Sequence, residues 1–337
     1  MRRIAINGFG RIGRGCLRAS LQRDDFGKNF QIVSINDLAD IQTLAYLLRY
    51  DSVQGRLGRK VVVDGNVMKI DGHEIEFLSV PKPSDLPWKK QEIDFVLEST
   101  GLFRERSKAQ MHIDAGAKRV VISAPAPDSD VTIVLGVNEH MYDPDKHFVI
   151  SNASCTTNSL APPVKVLHDN FGIKSGLMTT IHAYTGGQRI VDFPHMKDVR
   201  RGRAGAVSII PTSSGAAKAI NQVIPDLAGK LTGMALRVPT PDGSVTDLTA
   251  LLDKEVTVDD VNGALEQAAN STLKGIMQYT MDPIVSVDVI GNPHSAVIDA
   301  LSTMVVPEPG NLVKILSWYD NELGYANRLV DLMSKVI

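Results

Sequence analysis

Cysteine is scarce: Cys16 and Cys155 are the two thiols in a chain of 337 residues. So few, so far apart, they exclude a disulfide framework and fit a reducing, cytoplasmic compartment. Long apolar runs are missing too. Nothing approaches the ~20 apolar residues of a membrane span. The run in Met1 to Asn7 is too short for a signal-peptide core and lacks a small-residue cleavage site. Net charge is nearly absent, at -2, so no overall field draws the chain to nucleic acid or an anionic membrane. There is no internal repeat, linker or low-complexity tract. What is there is an ordinary globular composition, 43% apolar, in a length that suggests two domains at ~100–200 residues each.

The first half alternates short apolar runs with helical patterns. Ile4 to Asn7, Gln31 to Asn36, Asp94 to Glu98, Arg119 to Ser123 and Phe148 to Ser151 read as strands. Ile12 to Gln22 and Asp40 to Tyr50 read as helices. That order predicts a doubly wound parallel sheet of α/β class. After about Ser154 the strands lengthen and gain Thr, Ser and Val: Leu177 to Tyr184, Leu231 to Val238, Ser244 to Leu252 and Ser295 to Val306. A helix is expected after Thr257, with Asp259 and Asp260 in its first turn, running to about Asn270. Asn321 to Val336 has the period of a final helix. The second half reads as α+β, a sheet covered on one face.

Gly8-Phe9-Gly10-Arg11-Ile12-Gly13 follows a predicted strand and opens a predicted helix. In a dinucleotide-binding turn the first glycine permits the tight bend. The second lets backbone approach a pyrophosphate, and the third lets helix and strand pack closely. The helix N-terminus offers free N–H groups to phosphate. Asp37, at the end of the second strand, stands where an acidic group takes the adenosine ribose hydroxyls of NAD and repels the extra phosphate of NADP. Its bland alternative is a solvated cap on the next helix.

Ser151-Asn152-Ala153-Ser154-Cys155-Thr156-Thr157-Asn158 follows a predicted strand, precedes a predicted helix and is rich in hydroxyls. A cysteine there would feel the positive helix end, which lowers a thiol pKa. Cys16, inside an amphipathic helix, reads as structural. His182 ends a strand; as one of eight histidines it is, on sequence alone, more readily a structural residue than a catalyst. Arg200, Arg201 and Arg203, after Lys197, form a basic cluster that solvent alone could explain. Arg237 sits inside an apolar strand and needs an anionic partner, either a substrate phosphate or a structural carboxylate.

These residues carry a resemblance that spans essentially the whole chain. Its markers are Ile6 through Arg14, Ser151 through Asn158, His182-Ala183-Tyr184-Thr185, Ile209 through Thr212 with Gly215 through Lys218, Arg237 through Thr240, and Trp318 through Glu322. The chain resembles the phosphorylating glyceraldehyde-3-phosphate dehydrogenases. The resemblance implies an NAD-binding Rossmann domain over 1–154, a catalytic α+β domain over 155–318, and a terminal segment over 319–337 that returns to the first. It implies Cys155 as nucleophile and His182 as general base, with glyceraldehyde 3-phosphate and inorganic phosphate as substrates. Thr185 and Arg237 would hold the substrate phosphate; Ser154, Thr156, Arg201, Ser214 and Gly215 would hold the attacking one. Gly8, Gly10, Arg11, Ile12, Gly13, Asp37, Ser123, Asn321 and Tyr325 would bind NAD. No metal is expected, and a homotetramer is.

The chain departs from the family pattern in places. Ser159 stands where many members carry a second cysteine, Gly187 where Asp or Thr is common, and Leu323 where Trp is common. Pro163 after Pro162 predicts a kinked or late first turn. Phe193-Pro194 agrees with Asp37 in favouring NAD. Two other readings remain: a hydrolytic erythrose-4-phosphate dehydrogenase, against which Tyr184-Thr185 speak, and a non-catalytic RNA-binding role, to which the near-neutral charge lends no support.

Overall fold

The computed structural model describes residues 1–196 and 198–336; Lys197 of the basic cluster and Ile337 lie outside the described residues. Two compact units are present. One comprises residues 1–133, 139–153 and 326–337, the other 134–138 and 154–325. Residues 319–325, expected with the terminal segment, belong to the second unit. Among the described residues no helix is long and apolar enough to cross a membrane.

The first unit opens with β1 (Arg2–Asn7), α1 (Arg11–Leu21), β2 (Phe30–Asn36) and α2 (Ile41–Arg49). A small hairpin, β3 (Tyr50–Asp51) with β4 (Gly55–Arg56), follows. Then come β5 (Val61–Asp64), β6 (Val67–Ile70), β7 (His73–Leu78), β8 (Phe95–Glu98), α3 (Arg106–Asp114), β9 (Arg119–Ile122), β10 (Val131–Thr132) and β11 (Val149–Ser151). The sheet runs β10-β11-β9-β8-β1-β2-β7-β6-β5. It is parallel from β10 to β7, with β6 and β5 added antiparallel. Strand order reverses at β1, and in open α/β sheets ligands bind beyond the strand C-termini at such a point. Fully buried Ile4, Ile6, Ile35, Val96 and Val121 make these strands apolar on both faces, as helices above and below require.

The second unit contains α4 (Cys155–Phe171), β12 (Ile173–Ala183), β13 (Ile210–Ser213), α5 (Ala216–Val223), β14 (Leu231–Val238), β15 (Ser244–Val256), α6 (Val258–Asn270), β16 (Met277–Thr280), β17 (Ala296–Val306) and β18 (Gly310–Tyr319). The last helix, α7 (Leu323–Asp331), starts in this unit and ends in the first. The mixed sheet runs β13-β14-β12-β15-β18-β17-β16. Helices α4, α5 and α6 pack on its strands. Alternation along β12, β15 and β18 turns Thr180, His182, Thr246, Ser317 and Tyr319 inward, all buried. On the opposite face Leu177 of β12 and Leu312 of β18 are exposed, as are Met234 of β14 and Met304 of β17.

The first turn does not begin late: one helix, α4, runs from Cys155 through Pro162 and Pro163 to Phe171. Pro163 has no N–H for the Ser159 carbonyl. Ser317 Oγ on β18 donates to that carbonyl instead, at 3.3 Å, and Ser159 Oγ meets Ser317 Oγ at 2.9 Å. The sheet supplies what the helix lacks.

Candidate active site

The inner face of the second sheet brings three sequence-predicted residues together. His182 is the penultimate residue of β12 and the register partner of Arg237 on the parallel strand β14. Cys155 is the first residue of α4, entered through Ala153 in the left-handed region at φ 55°. Ser154 caps that helix: its Oγ accepts the Thr157 N–H at 3.0 Å. Cys155 Sγ then lies 3.4 Å from His182 Nε2. The Tyr319 hydroxyl, with its ring edge-on to His182, joins Thr156 Oγ1 at 2.9 Å to Thr180 Oγ1 at 3.0 Å. It ties the first turn of α4 to the strand that carries the histidine.

The other side of the imidazole has two neighbours. Nδ1 is 2.7 Å from the Ala183 carbonyl and 2.6 Å from Arg237 Nη1, which also donates to that carbonyl at 3.1 Å. With its proton on Nδ1, the ring bonds the carbonyl and Nε2 can accept the thiol proton. With Arg237 donating to Nδ1, the proton sits on Nε2 and faces the sulfur. A general-base step needs the first of these tautomers: Nε2 takes the thiol proton and the ring becomes an imidazolium whose Nδ1–H stays bonded to the Ala183 carbonyl.

Burial pushes the Cys155 thiol up, while the Arg237 charge and hydrogen bonds from Thr156 oppose it. The lowered thiol expected from the helix end is therefore not what the resting site gives; desolvation outweighs the nearby positive charge. Burial, helped by Arg237, pushes His182 down to about 3. The pair rests as thiol and neutral imidazole. An acid-stability consequence follows. In the unfolded chain the ring takes a proton near 6.5, so between these pH values the unfolded state binds more protons. The stability involved is present above pH 6.5 and lost as pH falls toward 3, with several kcal/mol at stake. His182→Asn is expected to flatten the acid limb of a Tm-against-pH curve; an unchanged limb would contradict the neutral ring.

Polar groups lacking partners gather nearby. Nε of Arg201, Nε of Arg237 and Nε2 of Gln188 are buried with no hydrogen-bond partner. Among the described residues no carboxylate pairs with Arg237; the groups that favour its charge are the Cys155 thiol and the Tyr319 hydroxyl. Thr185 offers its N–H and hydroxyl to Gln188 Oε1, at 2.8 and 3.1 Å. A side chain at Gly187 would come within 3.2 Å of Arg201 Nη2, so the guanidinium borders the space that side chain would need. Gly215 caps α5, and Ser214 Oγ accepts the Ala216 N–H at 3.2 Å.

In the first unit the glycine turn has the form expected of it. Gly8 has φ +92°, and a Cβ there would lie 2.6 Å from the Thr100 nitrogen. A Cβ on Gly13 would strike the Gly8 carbonyl at 2.3 Å, whereas one on Gly10 would meet nothing within 4 Å. Gly10 thus leaves open space at the N-terminus of α1, beside Arg11 and Ile12, where a pyrophosphate fits. Asp37 Oδ2 accepts the Phe9 N–H at 2.7 Å and its Oδ1 accepts that of Ala39 at 2.9 Å. It does not cap α2; Asp40 does, accepting the Thr43 N–H at 2.9 Å. A pocket of about 290 Å³ is lined by Asn7, Gly8, Asn36, Asp37, Pro81 and Thr100. These residues fit the adenosine half of NAD. Asp37→Ala is expected to weaken NAD about tenfold and to narrow its advantage over NADP, as read by calorimetry with each cofactor.

Sequence reading missed what supports this pocket. The buried Glu98 carboxylate accepts from Asn7 Nδ2 at 2.6 Å, the Thr100 N–H at 2.9 Å and His112 Nε2 at 3.1 Å. Trp88 Nε1 donates to His112 Nδ1 at 3.0 Å, which puts the imidazole proton on Nε2. Ser123, also in this unit, donates from Oγ to the Glu98 carbonyl at 3.1 Å. In the second unit Gln188, Thr180 and Tyr319 were missed likewise. Asn321 there accepts at Oδ1 from Ser244 Oγ at 2.6 Å, and Tyr325 is buried. Cys16 is buried as expected, its Sγ 3.7 Å from the Ala326 carbonyl.

Comparison with known proteins agrees with the geometry. Residues 2–106 match the family described as glyceraldehyde 3-phosphate dehydrogenase, NAD binding domain, and residues 154–321 match its C-terminal domain. A glyceraldehyde-3-phosphate dehydrogenase of Priestia megaterium is 58% identical over 330 residues, covering 98% of this chain and 96% of that one. One from Geobacillus stearothermophilus is 56% identical over 334 residues, covering 99% and 98%. Glyceraldehyde-3-phosphate dehydrogenase 1 of Bacillus subtilis is 55% identical, with the same coverage. An NAD-binding α/β unit, a catalytic unit and these likenesses lead to one conclusion: the chain belongs to the glyceraldehyde 3-phosphate dehydrogenase family.

Proposed function

We propose that this protein oxidises D-glyceraldehyde 3-phosphate with NAD and inorganic phosphate, through a thioester on Cys155, to give 1,3-bisphosphoglycerate. The observation that carries the reading is the Cys155 Sγ to His182 Nε2 contact of 3.4 Å beside an arginine with no carboxylate partner among the described residues. His182 Nε2 takes the thiol proton, and the thiolate adds to the aldehyde carbon, forming a C–S bond. The Cys155 N–H and the His182 ring stabilise the oxyanion, which takes the proton back from the imidazolium to become the thiohemiacetal hydroxyl and leaves His182 neutral. NAD, when bound, is the hydride acceptor. His182 removes the hydroxyl proton as the hydride leaves. A phosphate oxygen then attacks the thioester carbonyl and expels the Cys155 thiolate.

Thr185 and Arg237 are assigned to the substrate phosphate. Ser154, Thr156, Arg201, Ser214 and Gly215 are assigned to the attacking one. Asn321 orients the nicotinamide amide, and Tyr325 packs near the ring. Exposed apolar side chains support a homotetramer, on the open sheet face and in the basic loop, where Ile190, Phe193, Met196 and Val199 are exposed. Two free cysteines suit the cytoplasm. The test is NADH formation from glyceraldehyde 3-phosphate with and without phosphate. Dependence on phosphate is expected. Equal rates without it would favour the hydrolytic reading, with erythrose 4-phosphate as the next substrate.

A further inference from the structure

Two buried carboxyl groups meet beside Asn321, and no step above uses them. Asp242 and Asp320 are each 1% exposed. Asp320 is well served by backbone donors: Oδ1 accepts the N–H of Glu322 at 2.8 Å and of Leu323 at 2.7 Å, and Oδ2 accepts that of Gly291 at 2.7 Å. Asp242 accepts the Gly243 N–H at 2.8 Å and lies two residues before Ser244, whose register partner Tyr319 precedes Asp320, so the two carboxyl groups flank the same strand end. Two carboxylates in one dry site do not both ionise, so one proton is kept. N–H donors favour a charged carboxylate. Three N–H donors hold Asp320 as the charged partner, which assigns the proton to Asp242.

The turn held this way carries Asn321. Ser244 Oγ donates to Asn321 Oδ1 at 2.6 Å and accepts the Ala183 N–H, next to His182, at 3.0 Å. We propose that Asp242 is a positioning residue: as a neutral acid it donates a hydrogen bond to Asp320 and fixes the turn that presents Asn321. This rests on the reading above that Asn321 orients the nicotinamide.

Burial, the Asp320 charge and hydrogen bond, and the Glu322 charge push Asp242 up to about 9. The groups that face it are Asp320 and Glu322 from the turn before α7 and Cys155 from α4, whose thiol an ionised Asp242 pushes up. The 286–289 helix approaches from the side of Gly243, where a Cβ would lie 2.1 Å from the Ser286 carbonyl. Its Asp288 accepts the Val285 N–H at 2.7 Å. The protonated Asp242 also spares the thiolate a neighbouring negative charge.

The experiment measures the NAD Kd by calorimetry from pH 7 to 10, and Tm from pH 4 to 10, on the full chain and its D242N, D242A and N321A variants. Asparagine can still donate to Asp320 but cannot ionise. D242N is expected to match the parent within about twofold at pH 7 and to lack the parent's loss of NAD affinity near pH 9. D242A is expected to bind NAD about tenfold more weakly at pH 7. Because the folded state holds this proton over a wider range, the parent Tm should fall relative to D242N as pH rises from about 4 to 9, then run level. An alkaline loss of NAD affinity equal in the parent and D242N overturns the proposal, and this comparison holds even where D242A does not fold. Unchanged NAD affinity in N321A overturns the reading of Asn321 and the positioning claim with it. A flat Tm difference overturns the carboxyl pair itself, so the two failures are distinguishable.

Discussion

Cys155→Ala is expected to lower kcat by at least about 10³-fold while leaving the NAD Kd within about twofold. The magnitude follows from what the variant lacks. Without the sulfur there is no covalent intermediate, and His182 has no proton to take. The second thiol, Cys16, cannot substitute: it is 1% exposed, and burial pushes its pKa far up. The cofactor-facing residues of the first unit are untouched by the change, so binding and turnover separate. Steady-state assay beside calorimetry checks both. Appreciable residual turnover would mean that the thiol is not the nucleophile, and the thioester route would fall with it.

Arg237→Leu is expected to reduce kcat/KM for glyceraldehyde 3-phosphate by about 10²- to 10³-fold, and for unphosphorylated glyceraldehyde far less. A charge-assisted hydrogen bond to a desolvated phosphate is worth ~2–5 kcal/mol when one partner is removed. Part of the loss reaches the thiol. The Arg237 charge lowers the Cys155 pKa against the effect of burial, so its removal should slow alkylation of Cys155 by iodoacetamide at pH 7. Both substrates losing activity equally would leave Arg237 a role in holding His182 and none in recognising phosphate. Arg237→Lys keeps the charge without the planar fork, and recovery of the alkylation rate in that variant would assign the thiol effect to charge alone.

The legible parts of this molecule are those whose cause is local. The glycine turn, the alternation of strands and helices, and the Thr257 cap all depend on neighbours a few residues away. Thr257 Oγ1 accepts the Asp260 N–H at 3.1 Å, and Asp260 Oδ2 accepts the Thr257 N–H at 2.8 Å, a reciprocal box. The antiparallel strands β5, β6 and β7 were legible too, through the Asp64-Gly65 and Asp71-Gly72 turns, whose Gly65, Asp71 and Gly72 have positive φ. That signal went unread because the surrounding pattern favoured parallel units. The unbroken course of α4 was not legible at all. It depends on a serine hydroxyl from β18, distant in sequence. The same holds for the site. His182 and Arg237 are fifty-five residues apart, and only the pairing of β12 with β14 makes them neighbours. Resemblance to a family supplied what residue-by-residue reading could not, while the Asp242–Asp320 pair was visible to neither.

The pairing of β12 with β14 has a consequence for how the protein fails. Side chains alternate across a strand with period two, so slipping one strand past the other by a single residue would turn His182 or Arg237 to the far face. No intermediate register keeps the site in weakened form. Loss of activity on heating should therefore be all-or-none for each molecule, coinciding with amide hydrogen exchange in these two strands rather than preceding it. In a partly inactivated sample, the surviving molecules should show undiminished kcat and an unaltered KM.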